Sequence, residues 1–482
     1  MSKFIAILLG SLILISCGGG NNYQKNVKEL DGVYGCDNPL RPLSKRRYKE
    51  CIAKERANNE SFFDVNENYQ KLKNNLEKIE PGASKSLDDF LNDAQKKYEI
   101  AVKNFIYKPS LSPLEYMRVD LIKHLGRLAI FKPISKHIRE FFTDKRIIQM
   151  LEFPGLLLGA KPSKTPALYS LMNYADIKLG TWYPSGGIRS VASAVHSLAV
   201  EQGVEFIFGE PINKIHKKND STFEVVSNNN SYNSDIVIAN ADYEHVESNL
   251  IEKKYRNYSK SYWEKRTMSP SALLFYIGIN KKINIPHHCL FFDTSFDDHV
   301  KDIYDKPKWP DSPLFYVSCT SKTDPMVAPP NSEALFILIP VAPDLTEEPH
   351  LRELYLEQIL DRLEKNIGQS IRNDIVVSKS YAHEEFISDF NSFKGNAYGL
   401  ANTLFQTAFL KPRIKNMPSI TSKMTINIAI GRTTGIKKSK SKTVGPKYPS
   451  SLNEKPIGSF NFIKPETKGK IKNIEKNKKK GI

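Results

Sequence analysis

Tryptophan and cysteine are scarce in this chain, at three and five of 482 residues. So few cysteines exclude a disulfide-dense scaffold. Zinc is also excluded on spacing: His287 and His288 are adjacent and have no second ligand pair at a suitable distance. No internal repeat is present, and no Ser/His/Asp arrangement marks a hydrolase. The apolar run at the N-terminus is shorter than the roughly 20 residues a spanning helix needs.

What is present begins with charge. The formal net charge is +17, which invites nucleic acid or an anionic membrane as a partner. Its distribution argues otherwise, because residues 411–482 hold 19 Lys or Arg against three Glu and no Asp. The rest of the chain is nearly neutral, and the basic character belongs to a terminal segment. In it only Tyr448, Phe460 and Phe462 interleave with the lysines, so residues 417–482 read as a solvated, disordered tail with no specific nucleic-acid site.

The opening MSKFIAILLGSLILISCGGG has a basic start, a short apolar run and small residues around Cys17. The Leu14-Ile15-Ser16-Cys17 run is similar to a bacterial lipobox, which makes Cys17 the expected lipidation site; an ordinary signal anchor is the alternative. Cys36 and Cys51 are close enough to close a loop by a disulfide worth about 3 kcal/mol, or are unpaired structural cysteines. Cys289 and Cys319 lie in apolar, strand-like stretches and read as small buried hydrophobes.

The periodicity divides the chain. Residues 1–20 read as a signal segment and 21–60 as a polar tether. Residues 61–187 carry apolar positions at helical spacing, with a break at Pro81-Gly82, a cap at Ser86 and further helices near 112–131, 134–142 and 145–151. Beyond 187 the period changes: 204–209, 212–215, 223–227 and 235–242 read as strands. Apolar runs of strand length follow at 272–279, 287–293, 314–320 and 334–341, then a helix over 347–367 and a strand from 374. Segments 188–245, 246–416 and 417–482 complete the division. Helices followed by mixed strand and helix make the fold class α/β, with α+β mixing.

One stretch organises the rest: residues 167–187, ALYSLMNYADIKLGTWYPSGG, leading into the helical IRSVASAVHSLAVEQG. An apolar helix runs into an aromatic turn, Trp182, Tyr183 and Pro184, and then into paired glycines, Gly186 and Gly187. Without a Cβ in the way, such glycines let backbone pass close to something flat or large. A tight loop between core helices is the plainer alternative.

This stretch, with four other blocks in order (LEKIEPGASKSLDDFLNDAQKKYE, DIVIANADYEHV, TSKTDPMVAPPNSEALFILIPVAPDL and FNSFKGNAYGLANTLFQTAFLKPRIKN), resembles the bacterial-type phytoene desaturases over residues 63–416. The resemblance implies an FAD-binding domain of the amine-oxidase and glutathione-reductase type joined to a substrate domain. It implies a carotenoid desaturase: FAD as electron acceptor, a hydrophobic polyene as substrate and membrane lipid as the working surface. By position it assigns Tyr183, Pro184, Gly186 and Gly187 to flavin and polyene. It assigns Ile212 and Ile215 to the adenine-side strand, and Asn240 and Asp242 to a turn near the cofactor. Glu115 and Arg118 match an acidic and basic pair beside the active site; at i, i+3 spacing they equally suit a surface ion pair.

Two departures qualify the expectation. The family opens with strand, GxGxxG turn and helix, the unit that cradles the pyrophosphate; the 482 residues contain no GxGxxG, and the lipobox-like leader stands where that unit is expected. The family's flavin-proximal glycine- and proline-rich closing segment has no counterpart after Asn416. The expectation is a desaturase-like oxidoreductase with weakened unaided FAD binding, placed at the membrane. The alternative is a non-catalytic lipid-anchored lipoprotein or a fused gene product.

Overall fold

The computed structural model describes residues 65, 68–104, 128–157, 159–218, 222–403, 406, 411–412, 420–422 and 462–463. Glu115, Arg118, Cys17, Cys36 and Cys51 lie outside these residues.

The helical layer begins with α1 (Tyr69–Ile79) and α2 (Ala83–Asn104), separated at Pro81-Gly82 as the sequence suggests. Asn68 caps α1 by accepting from the N–H groups of Gln70 and Lys71. Ser86 is not a cap, because α2 already starts at Ala83. The Glu77 carboxylate reaches from α1 to accept from Gly82 N at 2.8 Å and Ser84 N at 3.0 Å. A capping acceptor borrowed from the preceding helix is invisible to a search for a local Ser or Thr. Helices α3 (Ile134–Ile138) and α4 (Lys145–Leu157) follow, and Glu80, which ends α1, ties the turn between them to the α1–α2 junction by accepting from Thr143 N and Asp144 N at 3.0 and 2.8 Å.

After the short, consecutive helical segments Ala167–Ser170, Leu171–Tyr174 and Ala175–Leu179 come a two-residue strand β1 (Tyr183–Pro184), helix α5 (Ile188–Glu201), and strands β2 (Ile212–Lys217), β3 (Phe223–Ser227), β4 (Ser231–Ser234) and β5 (Val237–Ala239). Strands β2, β3 and β4 form a three-stranded antiparallel sheet, packed on a small core of Ile215, Phe223, Ala239, Val246, Leu250 and Ile251.

The apolar runs of the second half become β6 (Ser271–Ile279), β7 (His288–Phe291), β8 (Phe315–Cys319) and β9 (Glu333–Val341), with helix α6 (Phe296–Tyr304) between β7 and β8. Helix α7 (Leu351–Ile367), strand β10 (Ile375–Tyr381) and helix α8 (His383–Phe390) follow. The five strands make one antiparallel sheet in the order β10-β6-β9-β8-β7. Its two faces explain the unbroken apolar pattern. Ala272 and Leu274 of β6 face the core shared with α1 to α4, whereas Leu273, Phe275 and Ile277 face α7 through Ile359, Leu363 and Ile367. A sheet covered by helices on both sides has no polar face to show.

Two short strands come from the C-terminal segment: β11 (Ile420–Ser422), parallel to β5, and β12 (Phe462–Ile463), antiparallel to β1.

Residues 204–209 are the clearest correction to the sequence reading. VEFIFG has the composition of a strand, but it pairs with no strand among the described residues. A strand is defined by its neighbours' hydrogen bonds, which composition cannot supply.

Candidate functional site

The turn after residue 180 meets two loops at one edge of the five-stranded sheet. Gly186 and Gly187 have φ of 78° and 83°, the left-handed region that favours glycine. A Cβ on Gly187 would stand 3.3 Å from the Tyr183 hydroxyl, so the turn is folded back on its own tyrosine. The Gly186 N–H donates to Asp324 Oδ2 at 2.6 Å, and the same carboxylate accepts from Met326 N at 3.0 Å through Oδ1. Tyr183 interacts through its hydroxyl with Thr320, and burial pushes that hydroxyl's pKa up.

The loop that carries Thr320 and Asp324 is anchored from below. Glu333, on β9, is buried and accepts from Ser321 and Lys322, with Lys282 Nζ at 3.4 Å. These cations, with the Ser321 hydroxyl, overcome the burial that would raise its pKa, so the Glu333 carboxyl is held below its ordinary range. Beside it, burial first and Glu333 second push the Cys319 thiol up to about 12, which removes it as a nucleophile.

Against the Tyr183 ring lies His287, edge-on with centroids 5.0 Å apart, and His288 follows at 4.0 Å. His287 Nδ1 lies 2.6 Å from the Thr323 hydroxyl and its Nε2 has no hydrogen-bond partner among the described residues. His288 Nδ1 lies 2.6 Å from the Tyr316 hydroxyl. Burial lowers the His287 pKa to about 4 and drives that of His288 well below its usual value, so both rings are neutral near pH 7. Aromatic faces and uncharged imidazoles suit an apolar ligand, with little free charge to attract ions. Among the described residues, no group of three or more His, Cys, Asp or Glu could hold a metal.

The sequence named Tyr183, Pro184, Gly186 and Gly187, and the structure brings all four to this edge. It did not name His287, Thr320, Thr323 or Asp324. The adjacent histidines before a strand were a signal, read only for zinc. Of the other expected residues, Ile215 is buried in the small core and Ile212 packs against it. Asn240 is exposed, and Asp242 caps a helical turn by accepting from Glu244 N at 2.9 Å and His245 N at 3.3 Å, its carboxyl pKa raised by burial.

Residues 37–418 match the family of flavin containing amine oxidoreductases. The chain belongs to that family. Among curated proteins, this flavin containing amine oxidoreductase is 32% identical over 352 residues to a carotenoid 3,4-desaturase of Haloarcula japonica, spanning 73% of the chain and 71% of the relative. It is 26% identical over 357 residues to a zeta-carotene-forming phytoene desaturase of Myxococcus xanthus, covering 71% and 68%. With a 4,4'-diapophytoene desaturase of Staphylococcus haemolyticus it shares 27% over 364 residues, 72% of each.

The family's cofactor can be tested against the residues present. An FAD pyrophosphate needs a glycine turn and free N–H donors at a helix start. The oxidoreductase has no GxGxxG, and its Gly186 N–H is committed to Asp324. Among the described residues, these groups do not supply the pyrophosphate cradle of the dinucleotide.

Proposed function

We propose that this chain is a carotenoid (phytoene-type) desaturase, an FAD-dependent oxidoreductase that dehydrogenates a hydrophobic polyene at a membrane surface. The observation that carries the reading is the 32% identity to a carotenoid desaturase over 352 residues. The neutral, aromatic character of the Tyr183 and His287 edge supports it, because a hydrocarbon offers shape and no charge to recognise. The small apolar cavity lined by Phe153, Phe292 and Leu338 has about 10 Å³ of room, too little for a polyene, and the polyene is proposed at the Tyr183 edge because the family resemblance assigns that turn to it. This chain's own residues would orient the polyene and exclude water there; electron acceptance belongs to the flavin.

Membrane association is part of the proposal. No helix among the described residues is long and apolar enough to cross a membrane, and lipidation at Cys17 is the proposed anchor. Labelling with radioactive palmitate tests it: label lost in a Cys17→Ser variant supports the anchor, and an unlabelled wild type removes it.

The activity is tested with detergent-purified protein, FAD and phytoene in lipid vesicles. New visible absorption bands from longer conjugation are expected. Unchanged phytoene in the presence of demonstrably bound flavin refutes the reading.

A further inference from the structure

The C-terminal segment reaches back to the candidate site. Strand β12 pairs antiparallel with β1, Ile463 opposite Tyr183 and Phe462 opposite Pro184. β1 is the aromatic turn itself, which the body of the protein holds through Asp324 on Gly186 N and through His287 against the Tyr183 ring. Paired strands lie about 4.8 Å apart. A ligand laid along the Tyr183–Pro184 backbone on the paired side therefore has to displace β12 first.

The ribbon is built to come apart. Two residues a side form it, and Pro184 has no N–H to donate, so few backbone hydrogen bonds hold it. A two-stranded pair of this size is marginal in water, which makes the contact reversible. The same segment is joined to the body a second time, by β11 against β5, and that tether keeps β12 at a high local concentration near β1. Charge pulls the other way. Residues 464–482, directly after β12, hold eight Lys against two Glu. The acids of the loop that meets the turn are already engaged, Asp324 by Gly186 N and Met326 N, and Glu333 by Ser321, Lys322 and Lys282. They offer the lysines no uncommitted carboxylate, and the lysines stay available to an anionic surface. A bilayer is favoured over a nucleic acid, because the polyene proposed for the same turn is dissolved in a bilayer.

We propose that β12 is an autoinhibitory strand: paired with Tyr183–Pro184 it closes the polyene edge in water, and an anionic membrane opens that edge by drawing residues 464–482 onto its surface. The inference rests on the reading of this edge as the polyene site. The bilayer that dissolves the polyene thereby also admits it, and the apolar turn stays capped while the protein is off the membrane.

The test places benzoylphenylalanine at position 462 of the full chain and maps its photo-cross-links by mass spectrometry, while quenching of tryptophan fluorescence by lycopene reads polyene binding. Cross-links to residues 181–187 are expected with phosphatidylcholine vesicles. They are expected to vanish with vesicles of equal parts phosphatidylcholine and phosphatidylglycerol, and to return in high salt. Phe462→Pro combined with Ile463→Pro is predicted to tighten lycopene binding about tenfold in phosphatidylcholine vesicles, as for an edge closed in about nine molecules of ten. The melting temperature is expected to stay unchanged, since the ribbon is marginal. Replacing the eight lysines of residues 464–482 by glutamine is predicted to keep the cross-link with both kinds of vesicle. The proposal is overturned if position 462 cross-links elsewhere in the chain or to a second copy, if the cross-link persists on anionic vesicles, or if the glutamine variant is released as readily as the unaltered chain. The two readings fail separately. Lycopene bound equally by the proline variant and the unaltered chain sinks the autoinhibitory strand and keeps the polyene edge; a cross-link that responds to anionic lipid while neither form binds lycopene sinks the polyene edge and keeps the lipid-released strand.

Discussion

Asp324 and Gly186 are 138 residues apart in sequence and joined by a 2.6 Å hydrogen bond, side-chain carboxylate to backbone N–H. Asp324 is buried, so this bond and the one to Met326 replace its hydration. Asp324→Ala leaves both N–H groups without their acceptor. A loss of about 1–3 kcal/mol in stability is expected. Urea unfolding measures it, with a lower midpoint at unchanged slope.

Gly187 has φ of 83° and ψ of 175°, a region that is essentially reserved for glycine. Gly187→Ala adds that strain to a 3.3 Å approach to the Tyr183 hydroxyl. The expected cost is about 1–3 kcal/mol. Gly82→Ala at the α1–α2 turn is the comparison, since a Cβ there meets nothing within 4 Å. Equal losses for both variants would rule out the tyrosine contact.

Lys97 is almost fully buried in the helical layer, with Asp93 Oδ2 at 2.6 Å, His137 Nε2 at 2.9 Å and Ser170 Oγ at 3.3 Å. Burial lowers its pKa, and the Asp93 carboxylate opposes that shift. Removing the cation leaves Asp93, 36% exposed, with His137 Nε2 at 3.0 Å as its remaining partner, so Lys97→Ala is expected to cost about 1–3 kcal/mol. The double variant Lys97→Met with Asp93→Leu is expected to recover part of that loss. Thermal melts of the two variants decide between them.

Buried neutral histidines make stability depend on pH. His299 donates from Nε2 to Pro340 O and accepts at Nδ1 from Leu314 N, which fixes the neutral tautomer, and burial lowers its pKa to about 4, as for His287. Unfolded imidazoles take up protons below about 6.5. The unfolded chain thus binds more protons over that window, and stability falls as pH drops from about 6.5 towards 4. Asp176 acts oppositely. Its carboxyl is enclosed, burial raises its pKa to about 7, and stability from this group falls as pH rises from about 4 to 7. Urea midpoints between pH 4.5 and 8 are expected to flatten at the acid end in His299→Gln and to rise near neutrality in Asp176→Asn.

Cys319, with its thiol pKa near 12, is expected to resist a thiol reagent at pH 8 in the native state and to react on unfolding. Peptide mapping of the labelled protein follows it. Rapid native labelling would mean that Glu333 and the sheet do not enclose it.

Much of the fold was legible because the signal was local. The apolar runs that became β6, β8 and β9 are buried on both faces, and such strands announce themselves by composition alone. The glycine pair was legible for the same reason, since its backbone conformation is written in the residue type. What escaped was anything that depends on a distant partner. Glu77 caps a helix it does not belong to, Asp324 holds a turn from a loop 138 residues away in sequence, and residues 204–208 have strand composition with no strand to pair with among the described residues. His287 and His288 were visible as a doublet, but their role needed Tyr183 at 5.0 Å, which no spacing rule conveys.

Segment 204–208, unpaired among the described residues, also bears on how the protein survives in a cell. Five residues, VEFIF, with one charge, no proline and an open backbone edge, have the makings of an aggregation nucleus. Yield in the soluble fraction therefore becomes a reporter of its own. Inclusion bodies from the unaltered chain, and a clearer lysate when Phe208→Asp interrupts the apolar run, would register that hazard before any purification begins.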